Sequence, residues 1–354
     1  MSRVPENGRV VGVSSRGLLA QHVQGRLEIG ACRRGAATLV VWWLASACSA
    51  LQTDPPTDTP TDDPATDTAD GAVSSAQSRF VGEALVHSLV WDPPQRDTAM
   101  LLVPGLNLSS SIYVSTPDGR EGWAQILHRS GYDVHVINDP DFHWSRGFDV
   151  PPFDVPAEGA PDPDPSAERA WDRDIWPRWG FGSERGMPYP DTRFPTEHFD
   201  VFESRYPWVR TGRRPFDATI LALLEETGPC VMIGHSAGGP PTVSAARARP
   251  DLVPALILIE PTGPPNEADF PALAGRSMLG VYGDYIASRN QAGRLAGTTE
   301  AAALFAANGG VGDIISMPQD QGVNGNTHLM MQDDNHEAIA DLVLGWLLDN
   351  GLAP

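Results

Sequence analysis

Short apolar runs recur through the C-terminal part of the chain, at residues 99–103, 132–137, 231–233, 255–259 and 278–282. Each has the length and continuity of a strand buried on both faces. Residues 80–91 are also strand-like and long enough for a hairpin. Between these runs lie stretches with helical period, at 215–226, 242–249 and 299–307. In the last stretch Ile339, Leu342, Val343, Trp346 and Leu347 fall at i, i+3, i+4, i+7 and i+8, one face of a helix. A shorter helix places Trp123, Ile126 and Leu127 together and is stopped by Gly131. Strands alternating with helices predict an α/β fold, with a mostly parallel central sheet flanked by helices. No internal repeat is visible.

The pattern is interrupted at residues 139–214. This segment is rich in proline, has little periodicity, and holds five of the ten tryptophans: Trp144, Trp171, Trp176, Trp179 and Trp208. A long aperiodic insertion in a compact domain is functional or disordered, and so many aromatic residues argue against disorder. It is expected to be a cap over the site, with apolar walls that suit apolar or aromatic parts of a substrate.

The strongest chemical signal follows the run at 231–233. Gly234-His235-Ser236-Ala237-Gly238 has the G-x-S-x-G form between a strand and a helix, the setting of the nucleophile in an α/β-hydrolase fold. A serine hydroxyl needs exposure beside a base to react. A sharp turn lifts it above the sheet, and close backbone approach requires glycine on both sides. Pro240 and Pro241 suit the first helical turn, where their missing N–H is not needed. Ser236 is therefore the candidate nucleophile.

In this fold the acid and then the histidine follow the serine. Glu260 ends the run at 255–259, and Asp284 follows the run at 278–282. The generic fold leaves the two acids open. His328 lies in a polar turn before the last helix, the place for the base, while His336 is read as a helix-start residue and His235 as packing. The oxyanion hole needs backbone donors. Ala237, after the nucleophile, supplies one; Leu106, in the turn after residues 99–103, supplies the other.

Charge and leader narrow the partners. The chain has 45 Asp+Glu against 25 Lys+Arg, a field that repels nucleic acid phosphates and anionic head groups. Residues 1–50 read as an export segment. Arg33-Arg34 precedes an apolar stretch at 36–47, too short to span a bilayer. Leu44-Ala45-Ser46-Ala47-Cys48 is similar to a bacterial lipobox, with Ala45 where leucine is usual. A lipid on Cys48 is the only membrane contact expected, and the location is the outer membrane, the periplasm or the medium. Residues 51–77 are a low-complexity Asp/Thr/Pro tract that cannot bury enough surface to fold, and they read as a tether. The folded domain is expected from Ser78 to the C-terminus. Three cysteines allow no disulfide framework, and Cys230 reads as a buried thiol.

Several segments together resemble the bacterial esterase 713-type group of α/β-hydrolases. They are Thr116-Pro-Asp-Gly-Arg-Glu-Gly-Trp123, Tyr189-Pro-Asp-Thr-Arg-Phe-Pro195, the serine motif, Ile259-Glu-Pro261 and Gly325-Asn-Thr-His-Leu-Met-Met331. The resemblance implies that Glu260 is the triad acid, with Asp284 in support. It also implies carboxylic ester hydrolysis, export in some members, and often a homodimer. The chain departs from the pattern in having Pro104-Gly105 where many hydrolases have His-Gly. It has Leu106-Asn107 where some relatives carry adjacent cysteines, so no vicinal disulfide forms there. The reading is a serine esterase acting on a small-molecule ester without metal or other cofactor. Its rivals are an amidase or lactonase with the same triad, and a catalytically silent surface binding protein on a hydrolase scaffold.

Overall fold

The hairpin that opens the domain begins earlier than its sequence suggests. In the computed structural model the described residues are 71–82, 84–106, 108–138, 175–205 and 216–352. The export segment, Cys48 and most of the tether lie outside them, as do Trp144, Trp171 and Trp208 of the insertion. Strand β1 (Val73–Val81) pairs antiparallel with β2 (Ala84–Asp92). Residues 73–77, read above as tether, are thus strand. Their exposed positions alternate with half-buried ones along an edge, and most are small or polar, which hides them from a search for apolar runs.

The order continues with β3 (Ala99–Val103), α1 (Ser111–Val114), α2 (Trp123–Arg129) and β4 (Val134–Ile137). The described part of the insertion holds α3 (Ile175–Trp179), β5 (Gly182–Glu184), β6 (Met187–Pro188) and α4 (Phe199–Arg205). Then come α5 (Phe216–Thr227), β7 (Cys230–His235), α6 (Gly239–Ala248), β8 (Ala255–Ile259), β9 (Ser277–Tyr282) and α7 (Ala292–Ala307). The chain ends with β10 (Gly312–Ser316), α8 (Met317–Asp320) and α9 (His336–Asp349). The main sheet has eight strands in the order β1-β2-β4-β3-β7-β8-β9-β10. From β4 to β10 every pairing is parallel, and only the β1–β2 and β2–β4 pairings are antiparallel.

The central strands are buried throughout, and alternate side chains feed different cores. Met100, Leu102, Val231, Ile233, Ile257 and Ile259 meet α2, α9 and the insertion. Leu101, Val103, Met232, Leu256 and Leu258 meet α5, α6 and α7. The described aromatic residues of the insertion pack largely on one another. Phe181 stacks on Phe194 with ring centroids 4.0 Å apart, and Trp176 leans on Phe199 at 5.1 Å.

Two boundaries differ from the sequence reading. Helix α7 starts at Ala292, before the expected 299, because Gly293 and Gly297 thin its early pattern. Strand β10 is an edge strand of half-buried residues, so it lacked the apolar signature of its neighbours. Among the described residues no helix is long and apolar enough to cross a membrane.

The turn from β7 into α6 packs directly on the end of β3. A Cβ on Gly238 would lie 2.5 Å from the Pro104 carbonyl oxygen and 2.6 Å from that of Val103. Gly238→Ala is expected to overpack this junction and to cost about 1–3 kcal/mol, read from the midpoint of urea unfolding. An unchanged midpoint would mean that the two turns are not in rigid contact.

Candidate active site

Strand β7 runs into a tight turn at its C-terminal end, and Ser236 sits on it with φ +51°. A positive φ is costly for a residue with a Cβ, and such strain concentrates at functional positions. One 3₁₀ turn, Ser236–Gly238, leads into α6 with proline in its first turn. A Cβ on Gly234 would lie 2.8 Å from Thr242 Oγ1, and one on Gly105 would lie 2.9 Å from the Ser236 Cβ. Glycine at 105 therefore lets the β3 loop, with Leu106, close on the serine.

Glu260 follows β8, also with positive φ, at +42°. Its side chain has no exposed surface. His328 Nδ1 donates to Glu260 Oε2 at 2.6 Å. Arg289 grips the same carboxylate with both terminal nitrogens, Nη1 to Oε2 and Nη2 to Oε1, each at 2.7 Å. The Gly283 N–H donates to Oε1 at 3.0 Å. Burial alone would push this carboxyl up, but the charge of Arg289 and the bonds from His328 and Arg289 outweigh it. Glu260 is held well below the usual carboxylate range.

His328 is presented by a loop tied down on several sides. Asp333, fully buried, accepts from the Thr327 N–H and hydroxyl, each at 2.7 Å, and from Asn326 Nδ2 at 3.0 Å. Burial pushes the Asp333 carboxyl up to about 7, against those bonds. The backbone N–H of His328 donates to the Trp179 carbonyl at 2.8 Å, and its carbonyl accepts from His235 Nε2 at 2.9 Å. His235 is thus more than packing, since it holds the backbone of His328. His336 begins α9, as its sequence position suggested. For the imidazole of His328, burial lowers the pKa, Glu260 pulls it back up, and Arg289 and Arg294 push it down; the net result is below the ordinary value.

Asp284, the alternative acid, does not touch the histidine side chain. Its carboxylate accepts from the backbone N–H groups of Tyr285 at 2.6 Å and Gly325 at 3.0 Å. Its own N–H donates to the Asn326 carbonyl at 2.7 Å. Asp284 fastens the histidine loop to the end of β9, and Glu260 meets the ring.

Ser236 and His328 open on one cavity of about 410 Å³, lined also by Leu106, Ala237, Trp179, Thr262 and the residues around the start of α7. The volume suits a small organic substrate. The residues named as oxyanion donors, Leu106 and Ala237, are both on its wall. Arg289 was absent from the sequence reading. It lies in the polar turn between β9 and α7, and nothing in its spacing marks it. The one available signal was the need of a carboxylate at the end of an apolar strand for a counter-charge. Among the described residues no group of His, Cys, Asp and Glu is arranged to hold a metal ion.

No family model matches the chain. The fold is similar to that of a structurally determined bacterial esterase, with 27% identity and a TM-score of 0.64, covering 75% of this chain and 85% of that one. The sequence is also similar to a probable secreted lipase, phiG, of a fungal species, at 25% identity over 191 residues. That match takes in 52% of this chain and 51% of the relative, so the chain spans about half the length of that curated protein.

Arg289→Met removes one partner of a buried ion pair and is expected to cost about 3–5 kcal/mol in stability. Glu260, held low in the folded protein, contributes stability above the ordinary carboxylate range that fades as pH falls through its folded value. Without Arg289, burial raises that value, so acid unfolding moves to higher pH. Adding Glu260→Gln to the variant should recover part of the loss, because no unpaired buried charge then remains. Unfolding curves across pH check this, and wild-type stability in the single variant would contradict it.

Proposed function

We propose that this chain, an esterase-type α/β-hydrolase by its sheet order and its likeness to the bacterial esterase, hydrolyses carboxylic esters through an acyl-enzyme on Ser236. One observation carries the reading. A histidine whose Nδ1 is committed to a buried glutamate opens on the same cavity as a serine on a strained turn. With Nδ1 occupied, Nε2 is the nitrogen left to act as base.

In this mechanism Ser236 Oγ attacks the ester carbonyl carbon as its proton passes to His328 Nε2. The carbonyl π electrons move onto oxygen, and the oxyanion meets the N–H groups of Leu106 and Ala237. Collapse breaks the bond to the alkoxy oxygen, and His328 returns the proton to the departing alcohol. Water then attacks the acyl-enzyme, with its proton taken by His328. The acid leaves and the serine hydroxyl is restored. Glu260 fixes the tautomer and stabilises the imidazolium. Arg289 keeps Glu260 ionised.

Export belongs to the same proposal. The secreted character in the name of the fungal relative supports it, together with the leader-like N-terminal sequence and the lipobox-like segment ending at Cys48.

A fluorophosphonate probe followed by intact mass is expected to add one adduct to wild type and none to Ser236→Ala. Ser236→Ala or His328→Ala should lower kcat on a short-chain aryl ester by roughly 10⁴–10⁶-fold. A folded wild type that neither labels nor turns over would contradict the proposal in favour of a silent scaffold. Comparing the ester with its amide analogue separates esterase from amidase.

The pH profile is a separate check. His328 must be neutral to take the proton, and its pKa lies below the ordinary 6.5. The fall of kcat/KM on the acid side should therefore be centred below 6.5. A decline centred above that value would point to another base.

A further inference from the structure

The cavity that holds Ser236 is cationic, in a chain that is strongly acidic. With 45 Asp+Glu against 25 Lys+Arg, the chain still lines this cavity with three arginines and no carboxylate among the described residues. The arginines differ in what they do. Arg289 is committed to Glu260. Arg178 has interactions of its own. The guanidinium of Arg294 makes no ion pair or hydrogen bond with any described residue, although Arg294 is half withdrawn from water on the cavity wall. A cation partly removed from solvent without a counter-charge is unfavourable unless an anion joins it.

One neighbouring feature favours an anion there, and a second marks a place for a ligand. Arg294 is in the first turn of α7, a helix of 16 residues with no acidic side chain in that turn, so the partial positive end of the helix is not neutralised. The residue before the helix, Gln291, is 7% exposed and lines the same cavity, and its Oε1 is buried with no hydrogen-bond partner. Such an orphaned atom waits for a group that the protein does not supply. The amide can accept from a hydroxyl or N–H carried by a ligand, or donate to an oxygen if it turns over.

We infer that Arg294 and Gln291 form a subsite for an anionic end of the substrate, so that the preferred esters carry a free carboxylate at a distance from the scissile bond. The inference rests on the hydrolytic reading above and extends it to substrate class. It adds a charged end to the apolar substrate parts expected from the tryptophan-rich insertion. Among the described residues Trp179 faces the cavity, while Trp176 packs against Phe181 and Phe199. The start of α7 adds Arg294 to the wall beside Arg178 and Trp179 of the insertion. Arginine suits the role because its planar fork binds a carboxylate through paired hydrogen bonds.

The test uses matched esters that differ only in whether the carboxylate is free or methylated. One pair carries it on the acyl side, 4-nitrophenyl hydrogen adipate and 4-nitrophenyl methyl adipate. The other carries it on the alcohol side, 4-carboxyphenyl acetate and its methyl ester. In at least one pair, the ratio of kcat/KM for the free acid over the methyl ester should fall about tenfold to hundredfold in Arg294→Gln. The fall should sit in KM, as expected for contacts kept from ground state to transition state. Arg294→Lys should recover part of it, and Arg294→Glu should lower it further. Adipate itself should quench tryptophan fluorescence of the Ser236→Ala protein, and not of that protein carrying Arg294→Gln as well. Equal ratios in wild type and Arg294→Gln for both pairs, with no Arg294-dependent adipate binding, would overturn the subsite. If no ester is hydrolysed but adipate binding depends on Arg294, the subsite stands and the hydrolytic reading falls.

Discussion

A carboxylate with no exposed surface, Glu260, has to remain charged for the rest of the site to hold its form. Burial alone would favour the neutral acid. The charge of Arg289 and the bonds from Arg289 and His328 Nδ1 reverse that preference, and the Gly283 N–H also donates to the carboxylate. Arg289 is itself fixed, because Nε and Nη2 also donate to the Asp284 carbonyl at 3.2 and 2.8 Å. The ion pair is better understood as positioning than as a gain in stability, since desolvating both charges offsets much of their attraction. It also divides labour between the carboxylates at the ends of adjacent strands. Glu260, after β8, serves the imidazole. Asp284, after β9, serves the backbone that carries it.

The same constraint explains why the backbone is strained in corresponding places. Ser236 and Glu260 follow neighbouring parallel strands, and both have a positive φ that favours glycine. Each such conformation costs on the order of 1–3 kcal/mol. The sheet sustains it through bonds just beyond the strand ends. The Thr262 N–H donates to the Ser236 carbonyl at 3.0 Å, and the Glu260 N–H donates to the Val281 carbonyl at 3.1 Å. Left-handed backbone at the strand end turns a side chain out of the strict up-and-down alternation of a strand. A serine and a glutamate that follow neighbouring strands can thereby leave the sheet in different directions.

What could be read in the sequence follows the strength of local physics. Strands buried on both faces leave continuous apolar runs, and 99–103 and 255–259 coincide with β3 and β8 as found. The serine turn was legible because its glycines answer to backbone contacts that any side chain would violate. Strand β10 and the first turns of α7 were not, because half-burial and glycine erase periodicity. The choice between Glu260 and Asp284 was beyond local pattern, since both acids end strands and only tertiary geometry separates them. Arg289 and Arg294 stand in a polar segment where each is one charge among others. What distinguishes them is the company that folding provides, a buried glutamate for one and an acid-free cavity wall for the other.

The insertion gains a different meaning from this geometry. A segment laid over a finished site would leave the histidine loop unchanged when it moved. Here the backbone of His328 is held from both sides, its N–H by the Trp179 carbonyl and its carbonyl by His235 Nε2. The first contact comes from the insertion, and the second from the residue beside Ser236. Arg193 of the insertion adds bonds to the Asn324 carbonyl at 2.8 Å and to Asp334 at 2.7 Å, on either side of the histidine. Tyr285, after β9, donates to Asp191 of the insertion at 2.7 Å. The position of the imidazole is therefore set jointly by the sheet and by the insertion, and the described part of the insertion is a component of the histidine's mounting. Motion of this segment would displace the imidazole together with the wall of the cavity, so the histidine and the cavity mouth share one mechanical element.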